Sequence, residues 1–396
     1  MMAESKGALD GLVVLDLSRI LAGPTATQLL GDFGARVIKV ENPKTGGDDT
    51  RSWGPNYALN PDGTRSDLSA YFMAANRNKQ SIAVDLSTPE GQDTIRKLAA
   101  RADVVIENYK PGGLKKYGLD HETMLAAHPG LVYCSISGYG QTGPNRSQPG
   151  YDLMAQGFGG IMSLTGDPDG APMKVGVGIA DVMCGMYACI GILAALRHRD
   201  ATGEGQHIDL ALVDAQMAWL INEGTNFLTS GKEPVRRGNA HPNIVPYEAF
   251  ETADGWFLLA VGNDGQFARF CDAFGLQSLA EDDAYRTNLA RIENREVLIP
   301  QIAATLAKLP KAEVLRRCQD ALVPAGPINT VKEALTSDQA VARETVREVP
   351  AAVKGGHVKL LANPLKLSRT PVRYDLAPPR FGQDSDAVLK MLGEDD

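Results

Sequence analysis

The run Leu12-Val13-Val14-Leu15-Asp16-Leu17-Ser18 is followed at once by Arg19-Ile20-Leu21-Ala22-Gly23-Pro24. The first stretch is short, apolar and rich in β-branched residues. The second opens a helical stretch that runs to about Asp32. Arg36 to Glu41 (RVIKVE) then reads as a second strand. Further strands are expected at Ser81 to Asp85, Asp103 to Glu107 (DVVIE), Leu131 to Ile136 (LVYCSI) and His207 to Leu212. Pro89 to Ala102 has helical spacing, with its proline in the first turn, where the missing N–H costs nothing. Continuous Val/Ile/Leu strands separated by helices indicate parallel βαβ units with both sheet faces covered. The expected fold class is therefore α/β, with a Rossmann-like open sheet in a large domain spanning residues 1–228.

Pro144 to Gly178 is rich in Gly, Pro, Asp and Ser and reads as loop, apart from a short helix around Asp152 to Gly157. An apolar helix is expected from Ile179 to Arg199, and a second after the His207 strand, ending near Leu228. From about residue 229 the pattern changes. Tyr247–Phe250 and Trp256–Val261 flank Ala253-Asp254-Gly255, a hairpin signal. Helical segments follow at 264–274, 294–309 and 312–321. This predicts a smaller α+β domain over 229–325, followed by a C-terminal segment, 326–396.

Composition excludes several function classes. Net charge is −8 with no long basic run, which argues against nucleic-acid binding. The start, MMAESKGALDG, has no apolar signal core, so a cytoplasmic protein is expected. The longest apolar run, Met183 to Leu196, is shorter than the roughly 20 residues a bilayer requires, and reads as a buried helix. The acidic tail Glu394-Asp395-Asp396 reads as a solvated end. The five cysteines (134, 184, 189, 271, 318) are scattered, with no CxxC and no histidine at metal-ligand spacing, so no metal is expected. No HExxH or GxSxG occurs, which removes the usual metalloprotease and serine-hydrolase anchors. Glu41 stands where a dinucleotide enzyme keeps its ribose-binding acid, but the first turn reads AGP, not GxGxxG, so a nicotinamide enzyme fits poorly.

Loops near residues 19–24, 42–54, 75–80, 108–118 and 137–181 mostly follow strands, at the edge where open α/β sheets bind ligands. The turn Arg19–Pro24 places backbone amides at a helix start, a natural seat for an anion. Arg51, Arg77, Lys79, Lys110, Lys115 and Lys116 are available cations. Asp181 stands where the Gly-rich VGVGIADVM stretch (175–183) turns into the apolar helix. Chemistry alone reads it first as an N-cap, with catalysis as the alternative.

The segments LDLSRILAGP (15–24), GARVIKVE (34–41), GDDTRSWGP (47–55), NRNKQSIAVDL (76–86), DVVIENYKPG (103–112), GYGQTGP (138–144), GYDLMAQ (150–156) and GIADVMCGMYA (178–188) come in an order and spacing that resembles the class III CoA-transferase family, the CaiB/BaiF type. The resemblance covers nearly the whole chain. It implies an aspartate nucleophile at Asp181, which attacks an acyl-CoA thioester to form a mixed anhydride. It implies CoA contacts at Ile20, Leu21, Val84, Asp85, Leu86, Ser87, Asn108, Tyr109, Lys110, Lys116 and Tyr151. Coenzyme A thioesters are then substrates, and no permanently bound cofactor is expected. Some members carry Arg where this chain has Asn42 and Lys116; lysine keeps the charge but not the bidentate fork.

The resemblance also implies an interlocked homodimer, each large domain being built from the beginning and end of its chain, with 326–396 returning to it. No nucleic-acid or membrane partner is implied. α-Methylacyl-CoA racemases share the fold but use His where this chain has Tyr151, and a tyrosine hydroxyl is a poor base at neutral pH. A racemase-like isomerase and a non-catalytic CoA-binding protein are the alternatives. GGDDTRSWGP (46–55) and NIVPYEAF (243–250) look most similar to succinyl-CoA:glutarate-type members. For a second carboxylate, Arg51, Arg77 or Arg237 is the expected clamp.

Overall fold

The computed structural model describes residues 7–393; the first six residues and the tail Glu394–Asp396 lie outside the described residues. The chain divides into two compact units. One comprises residues up to Ile161, Lys174–Ser230 and the chain from Asp338; the other comprises Met162–Met173 and Gly231–Ser337. The expected boundaries near 229 and 325 compare with 230/231 and 337/338, and the loop segment 162–173 also falls in the second unit.

The first unit is built on a six-stranded sheet. Its strands lie in the order Lys79–Ala83, Arg36–Glu41, Val13–Asp16, Val104–Glu107, Val132–Ser137 and Gln206–Ala211, and every neighbouring pair is parallel. Numbered along the chain this is 3-2-1-4-5-6, the doubly wound Rossmann order.

Neighbouring residues of the first strand serve opposite faces. Val14 packs with Ile106, Cys134 and Ile136 under helices Ala22–Asp32 and Ile179–Thr202. Leu15 packs with Ile82, Val105 and Tyr133 under helix Pro89–Ala99 and the C-terminal residues Val388 and Leu392. Both faces are covered, which is why the strands read as largely apolar runs. Each fully buried Leu or Ile contributes about 1.5–3 kcal/mol.

The helix expected at Ile179–Arg199 runs to Thr202. At 24 residues it is long and apolar enough, by length and composition alone, to cross a bilayer, where the sequence reading measured only the apolar run Met183 to Leu196. Its buried stripe, which includes Asp181, Cys184, Gly185, Ala188 and Ile192, follows helical spacing. The second expected helix is two, Leu212–Ala218 and Ile221–Ser230, with Ile221 at a left-handed φ of 42° where the chain turns between them.

The second unit carries a three-stranded antiparallel sheet, Ala325–Pro327, Gly255–Ala260 and Tyr247–Thr252. Phe250 and Phe257 pack there with Phe267 and Phe270 of helix Asp264–Phe274.

Helices Ala22–Asp32 and Ile179–Thr202 meet at Gly185. A Cβ there would come within 2.5 Å of the Ala22 carbonyl oxygen and 2.8 Å of Thr25 Cβ. Gly185→Ala is therefore expected to destabilise the fold by about 1–3 kcal/mol through overpacking, despite the better helix propensity of alanine. Chemical denaturation of both proteins checks the sign.

Candidate active site

The first and fourth strands of the sheet, Val13–Asp16 and Val104–Glu107, are neighbours whose following connections diverge to opposite sides. Such a switch point opens a crevice at the carboxyl edge. Here it is a cavity of about 430 Å³. The loop after Asp16 supplies Arg19, Ile20 and Leu21, and the loop after Glu107 supplies Asn108, Tyr109 and Lys110. Lys116, Tyr151 and Asp181 line the same cavity.

The two loops are tied together. Arg19 N–H donates to Asn108 Oδ1 at 2.9 Å, and Asn108 Nδ2 donates back to the Arg19 carbonyl at 2.7 Å. Beneath them, Tyr109 N–H donates to Glu107 Oε2 at 2.7 Å. Burial pushes the Glu107 carboxyl up to about 7, against hydrogen bonds from Ser135 and Tyr109.

Asp181 is not the helix cap. Gly178 holds the N-cap position of Ile179–Thr202 and has no side chain to cap with. The cap comes from Asp152, in the short helix Asp152–Phe158. Its Oδ1 accepts Ala180 N–H at 2.8 Å and, more loosely, Asp181 N–H at 3.4 Å. Gln156 Nε2 donates to Asp152 Oδ2 at 2.7 Å, and Gln156 Oε1 accepts Val175 N–H at 2.8 Å. The Gly-rich stretch is thus held at both ends by one short helix.

The Asp181 carboxylate, buried at the cavity wall, accepts no hydrogen bond among the described residues. Burial, and then the charge of Asp152, push its pKa up to about 7. A carboxylate in a helix first turn is ordinarily stabilised by the dipole, by up to about 1 kcal/mol near a surface; here desolvation outweighs that. Asp152 and Gln156 are the residues that the sequence reading missed. Their signal was an Asp–Gln pair at i, i+4 opening a short helix ahead of a glycine-rich loop.

Val84, Asp85, Leu86 and Ser87 form the turn after the strand Lys79–Ala83, on the same sheet edge but outside the cavity lining. Lys44 Nζ meets Asp85 Oδ2 at 2.7 Å and Ser87 Oγ at 2.8 Å. Asn42, where some members carry Arg, instead accepts Lys44 N–H at 2.9 Å. Lys44 thus brings a positive charge to that rim.

The expected clamps Arg51 and Arg77 are committed elsewhere. Arg51 grips Glu41 with two bonds of 2.6 and 2.7 Å, reaches Asp67 and the Pro379 carbonyl, and stacks 3.7 Å over Phe72. Arg77 grips Asp32 with bonds of 2.8 and 2.6 Å and donates to the Leu361 carbonyl. Both side chains are buried, so neither presents its fork to a ligand. Arg237 belongs to the second unit, where its Nη1 donates to the Val235 carbonyl.

A Rossmann-type sheet whose switch-point cavity holds a buried carboxylate with no partner among the described residues, with basic loops around it, is the arrangement of a ligand-binding α/β enzyme. The profile of CoA-transferase family III matches residues 9–385, and the chain belongs to that family. It is 48% identical over 391 residues to the succinate–glutarate CoA-transferase of Agrobacterium fabrum, covering 99% of this chain and 97% of that one. It is 39% identical to the succinyl-CoA:mesaconate CoA-transferase of Haloarcula hispanica, covering 92% and 91%. Among solved structures, a CaiB/BaiF family protein from Brucella suis matches with a TM-score of 0.86 and 46% identity, over 98% of this chain and 100% of that one.

The raised pKa of Asp181 fixes a stability prediction. An unfolded aspartate ionises near 3.8, whereas the native group holds its proton to about 7. Below pH 4 both states are protonated and the group is neutral to stability. Between those values only the unfolded state ionises, so stability falls as pH rises; above 7 the penalty is complete. Asp181→Asn should therefore match wild type near pH 4 and exceed it at pH 8, by at most about 4 kcal/mol. Thermal unfolding at the two pH values decides this, and equal gains at both would contradict it.

Proposed function

We propose that this enzyme transfers CoA from succinyl-CoA to a dicarboxylic acid of the glutarate class, with Asp181 as nucleophile. The observation that carries the reading is the unpaired Asp181 carboxylate in the switch-point cavity. The names of the relatives supply the substrate class.

The steps balance as follows. The Asp181 carboxylate oxygen attacks the thioester carbonyl carbon, the C–S bond breaks, and CoA leaves as thiolate from an aspartyl–succinyl anhydride. The thiolate attacks the aspartyl carbonyl, releasing succinate and leaving an aspartyl–CoA thioester. The acceptor carboxylate displaces the thiolate again to form its own anhydride with Asp181. Thiolate attack on the acceptor's carbonyl then yields the new thioester and regenerates Asp181. Each step is an exchange between activated acyl groups, so one hard transfer becomes several easier ones.

Burial serves this chemistry twice. It removes the water that would hydrolyse an anhydride, and it raises the basicity of a weak nucleophile. The loop contacts at Ile20, Leu21, Asn108, Tyr109, Lys110, Lys116 and Tyr151 hold CoA in this reading, with the turn Val84–Ser87 and Lys44 at the rim. The cavity cations Arg19, Lys110 and Lys116 serve the phosphates and the distal carboxylate.

Incubation with succinyl-CoA and hydroxylamine, followed by peptide mass spectrometry, should place a hydroxamate on Asp181, and Asp181→Ala should show neither label nor transfer to glutarate. Absence of label from an active wild-type enzyme would overturn the anhydride route. Because the nucleophile must be ionised, kcat/KM should rise through pH 7 and level above it. Asp152→Asn keeps an acceptor for the cap but removes a charge, so it should move that limb to lower pH. An unmoved limb would show that Asp152 does not act on Asp181 electrostatically.

We also propose an interlocked homodimer working in the cytoplasm. Helix Ile179–Thr202 leaves Met186, Tyr187 and Ile190 exposed, and Leu228 of helix Ile221–Ser230 is 83% exposed. Apolar faces of this kind suit a second copy. Native mass spectrometry should give twice the 42.3 kDa chain mass, persisting on dilution; a monomer peak would refute it.

A further inference from the structure

Ile20 adopts a left-handed backbone, with φ 72°. For a β-branched residue this is a genuine outlier, and it persists only where the surroundings over-determine it. Here they do so from below. Ile20 N–H points at the Asp48 carboxylate, 3.3 and 3.2 Å from its two oxygens. The Asp48 carboxylate is itself gripped by Lys39 Nζ at 2.8 Å and by Thr50 N–H and Oγ at 3.0 and 2.8 Å. The same Lys39 ammonium donates to the Ser18 carbonyl at 2.9 Å. Both side chains of the Lys39–Asp48 pair are wholly buried.

The consequence lies above the pair. With the Ile20 amide turned down to Asp48, the next amides, of Leu21 and Ala22, donate to no protein acceptor among the described residues, and both residues line the cavity. They stand beside the Asp181 helix: a Cβ on Gly178 would lie 3.1 Å from Leu21 Cδ2, and one on Gly185 would lie 2.5 Å from the Ala22 oxygen.

We propose that the buried Lys39–Asp48 pair is a positioning pair for catalysis, which holds Ile20 left-handed so that the Leu21 and Ala22 amides face the bound acyl-CoA beside Asp181. This rests on the assignment of Asp181 and its cavity as the active site. The pair touches no substrate. It acts through the turn, so its loss should lower kcat for transfer and the yield of trapped Asp181 hydroxamate more than it raises KM.

The test is Lys39→Met/Asp48→Ala, which removes the charges together and strands neither, assayed with succinyl-CoA and glutarate. Asp48→Asn, which keeps the shape, is the second variant should the first fail to fold by circular dichroism. A folded variant is expected to lose roughly 10- to 100-fold in kcat, the scale of a misplaced catalytic contact. Adding Ile20→Gly, for which a left-handed φ carries no steric penalty, should recover several-fold of that loss. A merely structural pair would lower the melting temperature and leave kcat unchanged, and its defect would not be relieved by glycine; either result overturns the proposal. Asp181→Ala is run alongside. Transfer that survives Asp181→Ala removes the site assignment itself, whereas a dead Asp181→Ala beside a fully active pair variant removes only the positioning role.

Discussion

The structure depends on a chain of buried charges carried by three adjacent strands of the sheet. Asp16, Lys39, Glu41 and Lys79 are all buried, within a sheet packed on both faces against apolar clusters. Isolated, any of them would cost several kcal/mol to desolvate. Paired, they neutralise one another: Lys79 reaches Asp16 at 3.2 Å, Lys39 reaches Asp48 at 2.8 Å, and Arg51 closes on Glu41. The balance differs from site to site. At Asp48 burial opposes ionisation, but Lys39 and the Thr50 hydrogen bonds outweigh it and hold the carboxyl down to about 2. At Lys79 burial prevails over Asp16 and brings the ammonium down to about 8. Removal of one partner from such a pair typically costs 3–5 kcal/mol, which makes the arrangement demanding rather than stabilising in itself. What it provides is a set of directed bonds to the turn after the first strand. Ser18 N–H is taken by Asp16, the Ser18 carbonyl by Lys39, and Ile20 N–H by Asp48.

Asp181 shows the opposite strategy. Asp16, Asp48 and Glu41 beneath the turn each have a cationic partner, while the Asp181 carboxylate at the cavity wall has none among the described residues. That is possible because Asp152 takes over the capping duty that a first-turn aspartate often fills. A self-capping Asp181 would be held by amides, ionised at low pH, and poorly nucleophilic. Delegating the cap to a neighbouring helix leaves the Asp181 carboxylate without a hydrogen-bond donor among the described residues. The close approach of the two helices at Gly185 then brings the start of Ala22–Asp32 beside the start of Ile179–Thr202.

The sheet was legible in the sequence because each strand carries its own evidence. LVVLDLS, RVIKVE and DVVIE lack alternation, and only a strand covered on both faces tolerates that. The loops around the cavity were legible for a related reason, since the carboxyl edge follows from the strands. What escaped was decided by partners far away in the chain. Arg51 and Arg77 look like substrate clamps until Glu41, Asp32 and the carbonyls of Pro379 and Leu361 are placed around them. An arginine's sequence neighbourhood does not say whether its fork is occupied. Asp181 carried the same ambiguity, because cap and nucleophile share one sequence signature; the position of Asp152, 29 residues earlier, removes the cap reading.

The C-terminal segment explains why the chain must return to the first unit after the second. The strand Lys79–Ala83 is an edge strand, and an unpaired edge invites association with other chains. Asp384 and Ser385 cover it: Ser81 N–H donates to Asp384 Oδ2 at 2.8 Å, Ala83 N–H donates to Ser385 Oγ at 3.0 Å, and Asp384 N–H returns to the Ser81 carbonyl at 2.9 Å. The same stretch supplies the Pro379 carbonyl to Arg51, while Asn363 Nδ2 reaches Asp32 at 3.0 Å. The buried carboxylates Glu41 and Asp32 therefore have their environments completed only by residues beyond Ser337. The charge network that shapes the cavity turn is thus closed by the end of the chain.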